Sequence, residues 1–164
     1  MRSGPATSTR AIQDQLPDQS CWGCGSNNPR GLQIKSYWSG DTTVCTWQPE
    51  PHYAGWPGVV NGGILASLVD CHCVCTAMSD AAGGGGGGDQ PVVFATGSLT
   101  ISYLRPVPVH VAVELTARIA ERTPRKTRVA CSVIAAGELC ARAEVLVIRV
   151  ANPSTAWSRG VAHA

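Results

Sequence analysis

One run limits what this chain can fold into more than any other. Residues 62–78 read GGILASLVDCHCVCTAM: two glycines open a long apolar stretch whose only acid is Asp70. The run is too long and too continuously apolar for a single strand, and no obvious polar face divides it. It predicts a helix buried on nearly all sides. Such a helix needs a second layer wrapped around it.

The rest of the chain supplies that layer. In residues 109–119, Val109, Val111, Val113, Leu115, Ala117 and Ile119 alternate with His110, Ala112, Glu114, Thr116 and Arg118. That is the period-two pattern of a strand with one buried face. Residues 32–38, 43–48, 91–104, 126–136 and 139–150 also read as strands, parted by turn signals at 105–108, 123–124 and Gly137. One buried helix with a long antiparallel sheet is an α+β layout in which a curved sheet wraps the helix, with room for a second subunit to help cover it.

At 164 residues the chain reads as one domain. Residues 1–20 are expected to be a flexible leader, 21–150 the domain and 151–164 a peripheral tail. The glycine run within 81–90 is low in complexity and reads as a mobile loop; it lacks the Lys-Ser/Thr of a phosphate-binding loop. A hydrophobic content of 44% against 15% charged residues excludes disorder, and a net charge of +2 gives no reason to expect a nucleic-acid partner. The first twenty residues hold no run of signal-peptide length and no later segment reads as a membrane span. The expectation is therefore a soluble cytoplasmic protein with no membrane partner.

In that compartment the eight cysteines read as thiols, most of them small buried groups. Cys21 and Cys24 have metal-ligand spacing, and Cys71, His72, Cys73 and Cys75 are possible partners. Cys71 and Cys75 share a helical face. A zinc site needs two clean pairs, and the second is not cleanly spaced, so no metal is expected. A cysteine nucleophile activated by His72 fails on geometry, because adjacent helical residues do not face each other.

The chemistry concentrates in residues 55–70, GWPGVVNGGILASLVD. Gly62 and Gly63 let a ligand approach the backbone closely. The first N–H groups of a helix lack internal partners and carry its positive end, which suits a carbonyl oxygen that becomes negative during reaction. Asp70 follows about two turns later, close enough to serve a substrate lodged at that end. Against this stand blander readings: Asp70 as a satisfied structural acid, Asn61 as a helix cap instead of, or as well as, a substrate contact, and the glycines as a simple turn.

Three motifs carry a resemblance to the hotdog-fold acyl-CoA thioesterases, in particular the small enzymes of the phenylacetyl-CoA type. CWGCGSNNPRGL resembles the Cys-x-x-Cys-Gly-x-x-Asn-Pro-x-Gly-Leu opening of many members. PGVVNGGILASLVD is similar to the Gly-x-x-His-Gly-Gly helix start with its following acid, and ISYLRPVPV to the strand ending in Tyr-x-Arg-Pro. The resemblance implies a hotdog fold, a central α-helix wrapped by a curved antiparallel sheet, and a homo-oligomer, dimer or tetramer, whose subunits share active sites. It implies hydrolysis of an acyl-CoA substrate with no cofactor. Carried over by motif, Gly62 donates its N–H to the thioester carbonyl and Asp70 acts as general base or nucleophile. Thr96 falls where relatives place a hydroxyl that orients water. Gly63, Arg105, Arg125, Lys126 and Arg128 are the candidates for substrate binding. The basic ones would hold coenzyme A phosphates or be ordinary hairpin ends.

The chain departs from the pattern at Asn61, where histidine is usual, at His110, where glycine is common, and in the cysteine load of CHCVC. Two rival functions follow, a non-catalytic acyl-CoA-binding module and a hydratase on the same fold. A hydratase generally needs an Asp/His pair, and His72 lies on a different helical face from Asp70.

Overall fold

The computed structural model describes residues 9–16, 20–83 and 92–150. The tail at 151–164, Pro91 and most of the glycine run lie outside the described residues. The described residues form eight strands and one long helix: β1 (Tyr37–Ser39), β2 (Thr42–Trp47), β3 (Ala54–Trp56), β4 (Val59–Val60), α1 (Gly62–Ala81), β5 (Phe94–Tyr103), β6 (Val113–Arg122), β7 (Lys126–Ala135) and β8 (Glu138–Arg149). Six strands form one antiparallel sheet in the order β1-β2-β6-β7-β8-β5, and β3 pairs with β4 ahead of the helix. The sheet curves around α1, as the hotdog resemblance implies.

Val113, Leu115 and Ala117 of β6, Val129 and Val133 of β7, and Val145 and Val147 of β8 are buried against α1. The period-two pattern thus places the core face correctly. Its start differs: the strand begins at Val113, not at residue 109, because the Val109 amide bonds to the Gly58 carbonyl and the Val111 amide closes a turn on Pro108. Residues 32–36 likewise run outside the sheet. The Leu32 and Ile34 amides bond to the carbonyls of Trp22 and Gly23, so the segment pairs with the opening loop and β1 starts only at Tyr37. At the β7–β8 turn, Ala136 and Gly137 both adopt left-handed φ (52° and 75°), the pairing a tight primed hairpin turn requires.

Three expectations need correction. Residues 9–16 are not a free leader: the Ile12 side chain is buried, its amide bonds to the Ser36 carbonyl, and buried Gln13 bonds to Ser36 through both its amide groups. The helix is not enclosed all round. Leu65, Leu68, Val69, His72, Cys73, Cys75, Thr76 and Ala77 are buried, whereas Ala66, Ser67, Asp70 and Val74 are only half-buried, because β5 is a sheet edge and no strand among the described residues lies beyond it. Finally, α1 with its 20 residues is long and apolar enough to cross a membrane by length and composition, although more than half of it is packed inside the fold.

Candidate active site

Asn61 and Asp70 define the two ends of the candidate site. Asn61 is the N-cap of α1. Its side-chain oxygen accepts from the Gly63 amide at 2.7 Å, the arrangement expected of a capping asparagine. The sequence offered both glycine amides to a substrate, and the structure withdraws Gly63, whose N–H is committed to the cap. The Gly62 amide has no acceptor among the described residues. Tyr103, from the end of β5, donates to the Gly62 carbonyl at 2.7 Å. A Cβ on Gly62 would sit 3.3 Å from the Tyr103 ring, so glycine is what lets the tyrosine brace the helix start. Sequence reasoning quoted Tyr103 within a motif but gave it no role. Its signal was a tyrosine at the last position of the strand, just before the Arg-Pro turn.

The Thr96 hydroxyl donates to the Asp70 carboxylate at 2.6 Å. The contact depends on a bulge. Thr96 pairs with Val147 and Ser98 with Leu146, leaving Gly97 as the extra residue. In an unbroken strand Thr96 would share a face with Ser98 and Thr100, pointing away from the helix. The extra residue turns it inward, as bulges beside functional sites often do. A side chain at 97 would come within 2.8 Å of Ile148. Asp70 and Thr96 open onto two adjoining clefts. One, of about 450 Å³, includes Trp22, Ser67 and Leu99; the other, of about 490 Å³, includes Leu16, Val74, Met78 and Phe94 and is largely apolar. A third, of about 370 Å³, lies at the helix start between His52, Tyr53, Asn61 and Ser67. His52 is a further candidate that the sequence alone did not single out.

The distance between the two ends matters. Asp70 follows Gly62 by eight residues of one straight helix, or roughly 12 Å of axial rise. A hydrogen bond to a carbonyl and a proton transfer at the same carbon each need contact near 3 Å. Contrary to the sequence expectation, one chain's Gly62 amide and Asp70 carboxylate do not converge on one thioester.

The basic candidates divide as well. Arg105 lies just past Tyr103, near the helix start, bonded to the Leu139 carbonyl and paired with Glu138. Arg125, Lys126 and Arg128 lie at the opposite end of the sheet, roughly 30 Å away along ten-residue strands. Lys126 and Arg128 alternate with buried Thr127 and Val129 and therefore face away from α1. Arg128 is engaged by Glu144 and Glu121. The structure does not bring this group to the Asp70 face.

His72 is fully buried on the far side of α1. Its Nε2 lies 3.3 Å from the Thr43 carbonyl, which can only accept, so Nε2–H donates and Nδ1 accepts from the Ser36 hydroxyl at 2.8 Å. Burial holds its pKa down at about 4. It faces neither Asp70 nor a cavity.

The opening loop brings cysteines to the helix. Sγ of Cys21 lies 3.9 Å from that of Cys71, and Sγ of Cys24 lies 4.0 Å from that of Cys75. The sulfurs of Cys21, Cys24 and Cys71 lie within 4.8 Å of one another. Hydrogen bonds from Cys71 pull the Cys21 thiol down to about 6, and hydrogen bonds from Cys71 and Cys75 hold the Cys24 thiol well below its ordinary value.

A single helix wrapped by a curved antiparallel sheet is also the fold of known proteins of one family. The sequence pattern of the Thioesterase superfamily matches residues 57–146, over half of the chain. The chain belongs to the thioesterase superfamily. A thioesterase superfamily protein from Shewanella loihica has 36% identity and a TM-score of 0.60, over 71% of this chain and 90% of that one. The Escherichia coli PaaI protein from the phenylacetic acid degradation operon shares the fold at 17% identity, with a TM-score of 0.62, over 74% and 82% of the two chains. Acyl-coenzyme A thioesterase THEM4 of Bos taurus is 29% identical over 91 residues, which is 56% of this chain. The match spans only 33% of that relative's own length.

Proposed function

We propose that this protein is an acyl-CoA thioesterase that works as a homodimer or a dimer of dimers in the cytoplasm, hydrolysing a coenzyme A thioester to the free acid and the thiol. The observation that carries the reading is the Asp70–Thr96 pair at 2.6 Å, half-exposed on an open cleft beside an unpaired sheet edge. In this reading Asp70 accepts a proton from water, or attacks the carbonyl carbon directly, and the Thr96 hydroxyl holds the carboxylate in place. The Gly62 amide stabilises the oxyanion, and the tetrahedral intermediate collapses to expel the coenzyme A thiolate; after direct attack, water then hydrolyses the Asp70–acyl anhydride and restores the carboxylate. The apolar cleft with Val74, Met78 and Phe94 suits an aryl or medium aliphatic acyl group, and Arg105 is the basic side chain best placed for a phosphate.

The roughly 12 Å of helix rise between Gly62 and Asp70 makes the dimer part of the mechanism. Pairing through the exposed β5 edge, near Tyr103 and Leu104, would let the Gly62 amide of one protomer and Asp70 of the partner subunit meet at one carbonyl. A hydratase is disfavoured because His72 is sealed away from Asp70.

The test is complementation. Gly62→Pro removes the N–H at a position where proline suits a helix start, and the preceding Asn61 already has the extended ψ of 133° that proline prefers; Gly62→Ala, which adds the same Cβ 3.3 Å from the Tyr103 ring but keeps the N–H, is the control. Gly62→Pro and Asp70→Ala should each abolish release of free thiol from a panel of acyl-CoAs. Mixed and refolded together they should recover roughly a quarter of wild-type turnover, since half the dimers are mixed and each holds one intact site. No recovery in demonstrably mixed dimers would refute the shared site. No turnover by wild type on any acyl-CoA, with binding retained, would leave a binding module.

A further inference from the structure

Four cysteines far apart in sequence meet at the side of α1, and the hydrolysis mechanism uses none of them. We propose that Cys21, Cys24, Cys71 and Cys75 form a closed tetrathiolate zinc site that staples the opening loop to the central helix. Spacing alone did not suggest it, because Cys71 and Cys75 are not a zinc-knuckle pair. The fold makes them one: they stand on successive turns of one helix face, opposite the Cys21-x-x-Cys24 turn.

Three of the sulfurs already approach the spacing the ion needs, and Cys75, which touches Cys24 but stands outside that group, has to close in. Zinc–thiolate bonds of about 2.3 Å place the sulfurs of a tetrahedron about 3.8 Å apart. The observed separations are 3.9 Å for Cys21–Cys71 and 4.0 Å for Cys24–Cys75, with Cys21, Cys24 and Cys71 all within 4.8 Å. The loop is built to allow this approach. Gly25 N–H closes a turn on the Cys21 carbonyl at 2.8 Å, and the Cys21 and Cys24 sulfurs lie within 4.8 Å of each other. A Cβ at position 23 would lie 2.3 Å from Cys71 Sγ, so any other residue there would push the two sulfur pairs apart.

Binding leaves four thiolate sulfurs on the metal, any thiol that is still protonated losing its proton to solvent, with no position open for water. This site is structural and separate from the hydrolytic chemistry. Its effect on the active site is through shape: Cys21 and Cys71 line the cleft onto which Asp70 opens, beside Trp22 and Gly23. The staple would fix that wall.

Full-length, tag-free protein purified without chelator and analysed for metal by mass spectrometry tests this directly. About one zinc per chain is expected, and cobalt in its place should give the intense visible bands of a tetrahedral thiolate centre. Cys24→Ser and Cys71→Ser should each lose the metal while keeping the circular dichroism of the wild type. Cys45→Ser, at a buried cysteine on β2, should keep it. Zinc well below one equivalent after refolding with zinc present would overturn the site. So would equal loss in Cys45→Ser, or a Cys21–Cys71 or Cys24–Cys75 disulfide in peptide mapping of protein prepared under reducing conditions. None of these readouts depends on thioester hydrolysis.

Discussion

Asp70 and His72 stand two residues apart on one helix and meet opposite fates. Asp70 turns toward the open β5 edge, where it accepts from the Thr96 hydroxyl and has a cleft in front of it. His72 turns toward β1 and β2 and is sealed in a chain of bonds: Gln13 donates to Ser36, Ser36 to His72, and His72 to the Thr43 carbonyl. The chain continues beyond it. Thr76 donates to the His72 carbonyl at 2.7 Å, which leaves the Thr43 hydroxyl to donate to Thr76 at 2.6 Å. No buried side-chain polar atom among the described residues lacks a partner. A polar group with every lone pair and proton spoken for stabilises a fold, whereas one with spare lone pairs facing a cavity can do chemistry. The identity of the residue does not decide between the two, since histidine is the commoner catalyst and here it is the structural member.

The largest effect that would break this contrast comes from exchanging the two roles. Asp70→Asn should lower kcat/KM for acyl-CoA by about 10²–10⁴ and change unfolding free energy by less than about 1 kcal/mol. His72→Ala should do the reverse. It leaves Ser36 and Thr43 without their partner and a hole in the core, and should cost about 3 kcal/mol by denaturant unfolding, with turnover per folded molecule near wild type. If His72→Ala removes activity at full folding, the division is wrong.

The pH response sharpens it further. Burial lowers the His72 pKa from 6.5 to about 4, so between those values the unfolded chain binds a proton that the folded chain refuses. The stabilisation from neutral His72 is complete above pH 6.5 and is lost as pH falls toward 4, by about 3 kcal/mol across the window. Denaturant midpoints measured from pH 7 to pH 4 should fall more steeply in wild type than in His72→Gln. Parallel slopes would mean that the histidine is solvated.

The smallest effects concern how Thr96 reaches Asp70. Thr96→Val removes a hydrogen bond to a charged acceptor and should reduce kcat about tenfold or more. Gly97→Ala places a methyl 2.8 Å from Ile148 and should cost about 1–2 kcal/mol in stability. It should also reproduce much of the Thr96→Val loss in kcat by disturbing the bulge. Full activity in Gly97→Ala would show that the inward turn of Thr96 does not need glycine.

Much of this protein was legible before any coordinates. The unbroken apolar run of residues 62–78 required a wrapped helix. Period-two valines marked the inner face of β6, and an asparagine before two glycines marked the helix cap. All of these are local signals, set by backbone periodicity and by which residues can satisfy a helix end, so a few neighbouring residues suffice to read them. What only the tertiary structure decided depends on contacts between distant segments. The bulge at Gly97 is a matter of register against β8, and it alone turns Thr96 from the outer face onto Asp70. The four cysteines become neighbours because a loop fifty residues upstream folds against one flank of α1. The roughly 12 Å of helix rise between Gly62 and Asp70 is trivial helix arithmetic, yet it acquires meaning only once β5 is found at a bare sheet edge. Sequence periodicity states which face a residue takes within its own element; which other element that face meets is fixed by packing, and the chemistry of the site is a property of that meeting.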